Sequence, residues 1–568
     1  MSQNVTYENR QVGSDLLLKW DTVFAIRYAD VNAGIRAGGL SPKSFQEDIP
    51  DGEGSYSLVG EFDDWKLVPG GNGHLIQMRL PFRDLVFQTP TDEDYYKYQS
   101  GWFEISVPLT SVMRDAETEN DGQYVDFMVD ATATVSVQDT HLEPAPDPDD
   151  DPSNTIGLVM AEWLNTHLAD FKHVFGTVNI NRILTEEYLQ WMQPTATSYA
   201  VVDDQKTEAS GIFGILCMTE NRPKPDQQLV DINAIPDGES SGFLISKERF
   251  LRKLLIGGLG YMFDGPATQD ANKTWPDDYF ALSESGTMIV NTAPVRIDKL
   301  VVGKDKPKIK PATIDTECFV VELNDSTLSV KISPLVHQFD HVVIIDLFDV
   351  EHTIYNEYII QLDPETQVID LTPKTKIVKG QEEIIGTHDV EIWPTKAEKD
   401  LEMALIVASI VLAFAPVVGR AAGWIDVVEN EAEETASSAI QNTEMRVVAS
   451  VEEMPVNYLA SAEAREAGGF LLNREMPVGA FGSICKAVMG VMALPMLVAG
   501  GADGLRRLLE WCADGDKTKL PSYPDFAAEI LAPIQWPAAE THYKIHGVQI
   551  ANSLQTYGDW KIRDTNPL

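Results

Sequence analysis

FLISKERFLRKLLIGGLGYMF, residues 243–263, is the clearest apolar helix pattern in the chain. Ser246 is a suitable N-cap, and Glu248 would lie in the first turn, near the positive end of the helix dipole. Apolar side chains then recur at intervals of three and four, at Phe250, Leu251, Leu254, Leu255, Leu259 and Met262. This apolar face is wider than the stripe of a surface helix, so we expect other elements to cover most of it.

Residues 20–36, WDTVFAIRYADVNAGIR, have a similar pattern. Here Phe24, Tyr28, Val31 and Ile35 would follow one line of a helix that ends at the two glycines of residues 38–39. Most other segments predict strands, chiefly 55–135 and 287–390, and PGGNG at 69–73 is typical of a hairpin tip. The continuous apolar run at 211–219 favours a strand buried on both faces. A curved sheet is therefore the expected cover for both helices.

Two features of composition indicate how the chain is divided. Residues 143–152, EPAPDPDDDP, are rich in proline and aspartate and predict a solvated linker or loop. The apolar segments 403–419 and 487–502 are shorter than the roughly 20 residues of a bilayer-spanning helix, and each contains a proline. The acidic, alanine-rich stretch between them favours helix. We expect a helical insertion whose apolar segments pack on each other or on the sheet, and membrane insertion is the alternative.

Charge and cysteine content exclude several function classes. Lysine plus arginine number 44 against 87 aspartates plus glutamates, a net charge of -43, so nucleic acids and anionic bilayer surfaces would be repelled. The 4 cysteines have no metal-binding spacing and predict neither a zinc site nor a disulfide framework. The first residues lack a basic segment followed by an apolar run. We therefore expect synthesis in a bacterial cytoplasm, with release by a route other than the Sec pathway left open.

Some sequence patterns resemble catalytic or metal-binding motifs, but each has a simpler structural explanation. GESSG at 238–242 matches the nucleophile elbow, but an elbow needs a strand before it and a helix after it, so we predict a polar loop around Ser240. His337 and His341, like His542 and His546, are four residues apart in predicted strands, where such side chains are about 13 Å apart. We predict no catalytic residue, no metal site and no cofactor.

Several segments resemble one protein family. LADFKHVFGTVNINRI at 168–183, YLQWMQPTATSYAVVD at 188–203 and SGIFGILCMTENRP at 210–223 closely resemble the clostridial forty-seven-kilodalton protein of OrfX-type botulinum neurotoxin gene clusters. WDTVFAIRYADVN, DWKLVPGGNGHLIQMRLP, FLISKERFLRKLL and PIQWP agree with that family in the same order. The resemblance covers most of residues 16–395 and 521–568, whereas 396–520 and the acidic composition depart from the shorter clostridial members.

The resemblance implies an α+β fold of the tubular lipid-binding (TULIP) superfamily, in which strongly curved antiparallel sheets wrap long helices and leave an apolar groove. The implied wrapped helices lie near residues 21–36 and 246–263. The corresponding division is a first TULIP-like module at 1–142, the linker at 143–152, a second module at 153–395, a helical insertion at 396–520 and a C-terminal segment, 521–568, that returns to the sheet.

The expected function is therefore non-enzymatic binding of a lipid or other apolar molecule by an accessory protein of a toxin gene cluster or toxin complex. The groove would be lined by the helix residues Phe24, Tyr28, Val31, Ile35, Phe250, Leu251, Leu254, Leu255 and Leu259. The same side chains could instead fill a closed core. Two other functions stay open: a scaffold whose helical insertion docks a partner protein, and membrane contact through a helical hairpin of the two apolar segments.

Overall fold

The architecture comes from a computed structural model. It describes residues 15–52, 54–91, 95–115, 122–183, 187–204, 210–259, 263, 265–297, 308–309, 312–324, 326–340, 348–362, 369–378, 381–384, 386–394, 447–451, 533–536 and 539–562. These residues divide into two compact units. What we call the first unit lies within Ser14–Ser246, Ala527–Gly547 and Ser553–Leu568, and the second unit lies within Lys247–Phe526 and Val548–Asn552.

Antiparallel strands dominate the described residues. Up to residue 246 they are β1 (Thr22–Arg27), β2 (Ser44–Asp51), β3 (Gly54–Phe62), β4 (Lys66–Leu67), β5 (Leu75–Gln88), β6 (Tyr96–Asp115), β7 (Gln123–Val129), β8 (Val137–Glu143), β9 (Val174–Ile180), β10 (Pro194–Val202), β11 (Ile212–Thr219) and β12 (Ser241–Ser246). The next are β13 (Gly265–Pro266), β14 (Phe280–Leu282), β15 (Met288–Asn291), β16 (Val295–Ile297), β17 (Lys308–Ile309), β18 (Ala312–Ile314), β19 (Phe319–Leu323), β20 (Leu328–Asp340), β21 (Phe348–Leu362), β22 (Ile369–Pro373), β23 (Thr375–Val378), β24 (Gln381–Ile384), β25 (Gly386–Pro394) and β26 (Val447–Val451). The last are β27 (Ile534–Gln535), β28 (Ala539–Ile550) and β29 (Ser553–Ile562).

Helices are few in the described part of the chain. They are α1 (Tyr28–Gly38), α2 (Ser153–His167), α3 (Lys247–Arg249), a π-helical segment (Phe250–Leu255) and α4 (Ile256–Leu259), with 3₁₀ turns at Leu168–Asp170, Glu187–Met192 and Ile232–Ala234. Helix α3, the π-helical segment and α4 are continuous in sequence, and we call them together the α3–α4 segment. No described helix combines the length and the apolar character that a bilayer span requires.

A six-stranded sheet with the order β10-β11-β1-β12-β29-β28 places β1 and β11 at central positions. All eight residues of β11 are buried, which confirms the strand predicted from the apolar run at 211–219. One face carries Val23, Ala25 and Leu244 in a cluster with Leu17 and Trp20. The other carries Phe24, whose ring lies 4.5 Å from that of Phe243 on β12. Because both faces are covered, these strands are apolar throughout rather than alternating.

A nine-stranded sheet follows the order β2-β3-β5-β6-β7-β9-β27, with β4 on β5 and β8 on β6. The β4–β5 pairing confirms the predicted hairpin around residues 69–73. Because β7 and β9 pair in one sheet, the acidic segment 143–152 connects β8 to α2 inside the first unit. Helix α2 packs against β2, β3 and β8, where Trp163 approaches the rings of Phe45 and Phe62.

In the second unit, the twelve-stranded sheet runs β13-β16-β18-β20-β19-β15-β14, and β17, β21, β22, β25 and β26 extend it. The π-helical segment packs against β14 and β15. Phe263 contacts Phe280 and Phe319, with ring centroids 5.5 Å and 5.2 Å away. A buried aromatic cluster therefore lies beside the end of the α3–α4 segment.

The predicted start was wrong for the first helix and right for the second. Residues 22–27 form β1, and α1 begins only at Tyr28, so Phe24 lies on a strand. Here an apolar run of strand-compatible residues pairs with strands from distant parts of the sequence, and this pairing overrides the local helical period. Residues 243–246 belong to β12, and α3 begins at Lys247, directly after the predicted cap Ser246.

The predicted helical insertion at 396–520 lies almost wholly outside the described residues, as do both apolar segments. Within it, the structure describes one element, β26, which pairs with β25. Residues 447–451 are therefore a strand where the sequence favoured a helix. The partner strand β25 supplies hydrogen bonds that local propensity does not predict.

Candidate functional site

Helix α1 packs against strands of both sheets in the first unit, namely β4 and β9 of the nine-stranded sheet and β1, β11 and β29 of the six-stranded sheet. Its apolar residues Tyr28, Val31 and Ile35 are buried, as the predicted line required. Asn32 fixes the helix by donating to the Leu67 carbonyl at 3.0 Å and accepting from the Leu67 amide at 2.7 Å. Two hydrogen bonds of Asn32 thus hold the helix in the interior, in addition to its apolar packing.

Aromatic rings surround this interior and bring the two sheets into contact. Trp65 stacks on Phe171 with centroids 4.8 Å apart, and Phe175 on β9 lies 5.9 Å from Phe213 on β11. Phe24 shares a sheet face with Phe213, because its register partner Ile215 is two residues away on the same strand. Phe24 therefore faces the region between the sheets even though it is not on the helix.

Several buried polar atoms in this unit have no hydrogen-bond partner among the described residues. They include the Tyr28 hydroxyl and the Trp65 indole nitrogen. Burial raises the pKa of Tyr28, and the charge of Asp203 raises it further, so the hydroxyl stays protonated. An unpaired buried donor costs about 1–3 kcal/mol, so a ligand oxygen that accepted from it would be favoured.

The α3–α4 segment presents the corresponding apolar face in the second unit. Phe250, Leu251, Leu255 and Leu259 are all buried, with at most 2% of each exposed. The side chain of Leu254 lies outside the described residues. Residues Phe250–Leu255 wind as a π-helix, so the chain turns through a smaller angle per residue there than in an α-helix.

A polar cluster lies elsewhere in the first unit, where the turn before β12 meets β28 and β29. Nδ1 of His546 is 2.9 Å from a Glu239 carboxylate oxygen, and Nε2 is 3.3 Å from a carboxylate oxygen of Asp559. Ser240 donates to the other Asp559 oxygen at 2.6 Å. Glu239 and Ser240 are more than 300 residues away from His546 and Asp559 in sequence, so spacing along the chain could not reveal the cluster.

Arg27, at the end of β1, holds the turn that carries Glu239. Its guanidinium donates to the backbone carbonyls of Glu239, Ser210, Ile235 and Pro236 at 3.2–3.4 Å. Burial lowers the pKa of Arg27, but an arginine remains charged in proteins. The turn is therefore fixed by one cation that satisfies four carbonyl groups.

Asp30, in the first turn of α1, adds negative charge near this cluster. Burial, and to a smaller extent the charge of Asp559, raise the pKa of Asp30 to about 6, while the charge of Arg27 opposes this rise. Asp30 and Asp559 are therefore close enough for their negative charges to repel each other.

The geometry around Ser240 does not form a nucleophile elbow. The residues after it enter strand β12, not a helix, and the hydroxyl donates to a carboxylate rather than to an imidazole. Position 242 requires glycine, because a Cβ there would lie 2.0 Å from the Ala234 carbonyl oxygen. The last glycine of the motif is therefore explained by two backbone segments that approach closely.

His337 lies on β20, and His542 and His546 lie on β28, while His341 is outside the described residues. Among the side chains that the structure describes, His546 meets two carboxylates, those of Glu239 and Asp559. Sequence reasoning missed this cluster because neither Glu239 nor Asp559 stands in a recognisable spacing to His546.

Comparison with known proteins identifies the family. A family model described as "OrfX-like: Protein OrfX2/OrfX3/P47" matches residues 17–352. The chain belongs to this OrfX-like family. Both predicted helix regions lie within the match, as do the segments that suggested the family from sequence, except PIQWP at 533–537.

The most similar OrfX-like relatives include OrfX3 of Paraclostridium bifermentans, which is 30% identical over 280 residues, 44% of this chain and 56% of that protein. OrfX3 of Clostridium botulinum (strain Kyoto / Type A2) is 28% identical over 266 residues, 42% of this chain and 53% of that protein. The chain thus spans about half the length of the curated relatives that it matches.

The solved structure of P47 from Clostridium botulinum E1 resembles this OrfX-like chain with a TM-score of 0.53. The match covers 95% of this chain and 99% of that chain, at 12% sequence identity. At so low an identity the likeness shows a common fold and nothing about ligands.

Proposed function

We propose that this OrfX-like protein binds a lipid or another apolar ligand without catalysing a reaction, and that it serves as an accessory protein of a toxin gene cluster. The observation that carries the proposal is the position of α1, whose buried face of Tyr28, Val31 and Ile35 packs against strands of both sheets. Family membership supports the toxin-cluster role. The α3–α4 segment offers a second apolar face of the same kind.

The unpaired buried donors favour an amphipathic ligand over a pure hydrocarbon. The Tyr28 hydroxyl and the Trp65 indole nitrogen lack acceptors among the described residues. A fatty acid or an ester-linked lipid would place an acyl chain against apolar side chains and an oxygen against such a donor. Ligand sites of this type combine an apolar lining with few polar groups.

Lipid uptake tests the proposal. We expect delipidated full-length protein, incubated with mixed fatty acids and phospholipids, to retain bound lipid after gel filtration, as detected by native mass spectrometry. The Val31→Phe variant should retain less, because the added ring occupies the interior beside α1. Ala29→Phe is the matched control, since Ala29 is on the exposed side of the same helix.

Thermal unfolding of each variant shows whether the fold is kept. Protein that carries no lipid after purification and takes none up would remove the proposal, whatever other partner it binds. Equal lipid uptake by Val31→Phe and Ala29→Phe would show that the ligand does not bind beside α1.

A further inference from the structure

We propose that Glu239, His546 and Asp559 form a binding site for a divalent transition-metal ion, with Zn²⁺ as the best-matched ion. One ligand atom from each residue lies within 4.8 Å of the others. The three residues come from the turn before β12, from β28 and from β29, so a bound ion would connect three chain segments of the first unit.

The donor set selects the class of ion. An imidazole suits zinc and the later first-row metals, whereas Ca²⁺ and Mg²⁺ take oxygen ligands almost exclusively. Zinc–nitrogen and zinc–oxygen bonds of about 2.0–2.1 Å in a tetrahedron place ligand atoms about 3.3 Å apart. Glu239 and Asp559 contact different ring nitrogens of His546, so one of the two carboxylates has to shift toward the other for a single ion to bind all three residues.

The surroundings already contain the supporting groups of such a site. Ser240 donates to one Asp559 oxygen at 2.6 Å, and the other oxygen of that carboxylate faces His546 at 3.3 Å. Arg27 fixes the turn that carries Glu239 through four carbonyl contacts. Groups that orient ligands in this way contribute strongly to metal affinity.

Electrostatics favour a cation at this place. The carboxylates of Glu239 and Asp559 flank the single imidazole of His546, and a bound dication would offset the repulsion between them. The side chains of Glu239, His546 and Asp559 are 21%, 30% and 51% exposed, so an ion can reach them from solvent.

Metal titration of the full-length chain tests the site. After treatment with a chelator, we expect isothermal titration with Zn²⁺ to show one more binding event for the native chain than for His546→Gln or Asp559→Asn. Ser240→Ala should retain the event with a dissociation constant raised about tenfold, because only the orientation of Asp559 is lost.

A second histidine–carboxylate pair provides the control. His141 lies 3.4 Å from Glu143 in the same unit, and both residues are exposed. We expect His141→Gln to bind Zn²⁺ as the native chain does. The proposal is overturned if the native chain, His546→Gln and Asp559→Asn bind the same number of ions with the same affinity, or if none of them binds.

Discussion

Replacing Asp21 with alanine is expected to lower the free energy of unfolding of the first unit by about 4 kcal/mol. Asp21 is buried directly before β1 and accepts from the Thr219 amide at 2.9 Å and the Thr219 hydroxyl at 3.0 Å. It also pairs with Arg222 at 2.7 Å. The substitution would leave the amide of fully buried Thr219 without an acceptor, in the sheet that carries α1 and Arg27.

Hydrogen exchange of peptides from β1 and β11 measures this effect. A loss of about 4 kcal/mol corresponds to exchange roughly a thousandfold faster where global unfolding controls it. Asp15→Ala is the matched control, because Asp15 accepts from the amides of Leu17 and Lys19 at 3.0 Å in a more exposed position. Its expected cost is about 1 kcal/mol. Similar exchange in the two variants would mean that the Asp21 contacts do not hold β1 in place.

Acidification is expected to destabilise the first unit through His173. This residue is 2% exposed, and its ring lies 5.2 Å from that of Phe175. Burial lowers the pKa of His173 to about 4. The unfolded chain, with a histidine pKa of about 6.5, therefore binds a proton that the folded chain does not.

The direction of the pH effect follows from this difference. The contribution of neutral His173 is present above about pH 6.5 and is lost as the pH falls toward 4, about 3 kcal/mol in all. Asp30 acts in the opposite direction, because a carboxyl with a raised pKa stabilises the folded state as it takes up a proton near pH 6. Comparing variants separates the two effects.

Urea unfolding at pH 7, 5 and 4, followed by tryptophan fluorescence, provides the measurement. On acidification, we expect the free energy of unfolding to fall about 3 kcal/mol less for His173→Gln than for the native chain. This difference is expected even if His173→Gln is less stable than the native chain at pH 7. His74→Gln, at an exposed position, should keep the native pH dependence. Parallel pH profiles for the native chain and His173→Gln would show that His173 is not the group responsible.

Local patterns in the sequence predicted the strands and the apolar helix faces well. The burial of Ile212–Thr219 followed from an uninterrupted apolar run, and the burial of Val31 and Ile35 followed from their spacing. The start of the first helix was wrong because residues 22–26 pair with residues 241–245 in the six-stranded sheet, whereas the cap Ser246 predicted the start of the second helix correctly. Local periodicity does not record a partner strand more than 200 residues away.

The polar cluster could not be predicted for the same reason. Glu239 and His546 form a contact across 307 residues of sequence, and Ser240 and Asp559 across 319. In the sequence, His546 stands out only by its four-residue spacing from His542, and on a strand residues with this spacing are too far apart to bind one ion. Family resemblance predicted the antiparallel sheets but identified no residue of this cluster.

Photocrosslinking would test most directly whether the apolar helix faces bind a ligand. The full-length protein would be irradiated with a fatty acid that carries a photoreactive diazirine along its chain, and the labelled peptides would be identified by mass spectrometry. The account predicts labels on peptides that contain α1 or the α3–α4 segment, suppressed by excess unlabelled fatty acid. Labels confined to other peptides, or unaffected by competition, would contradict it.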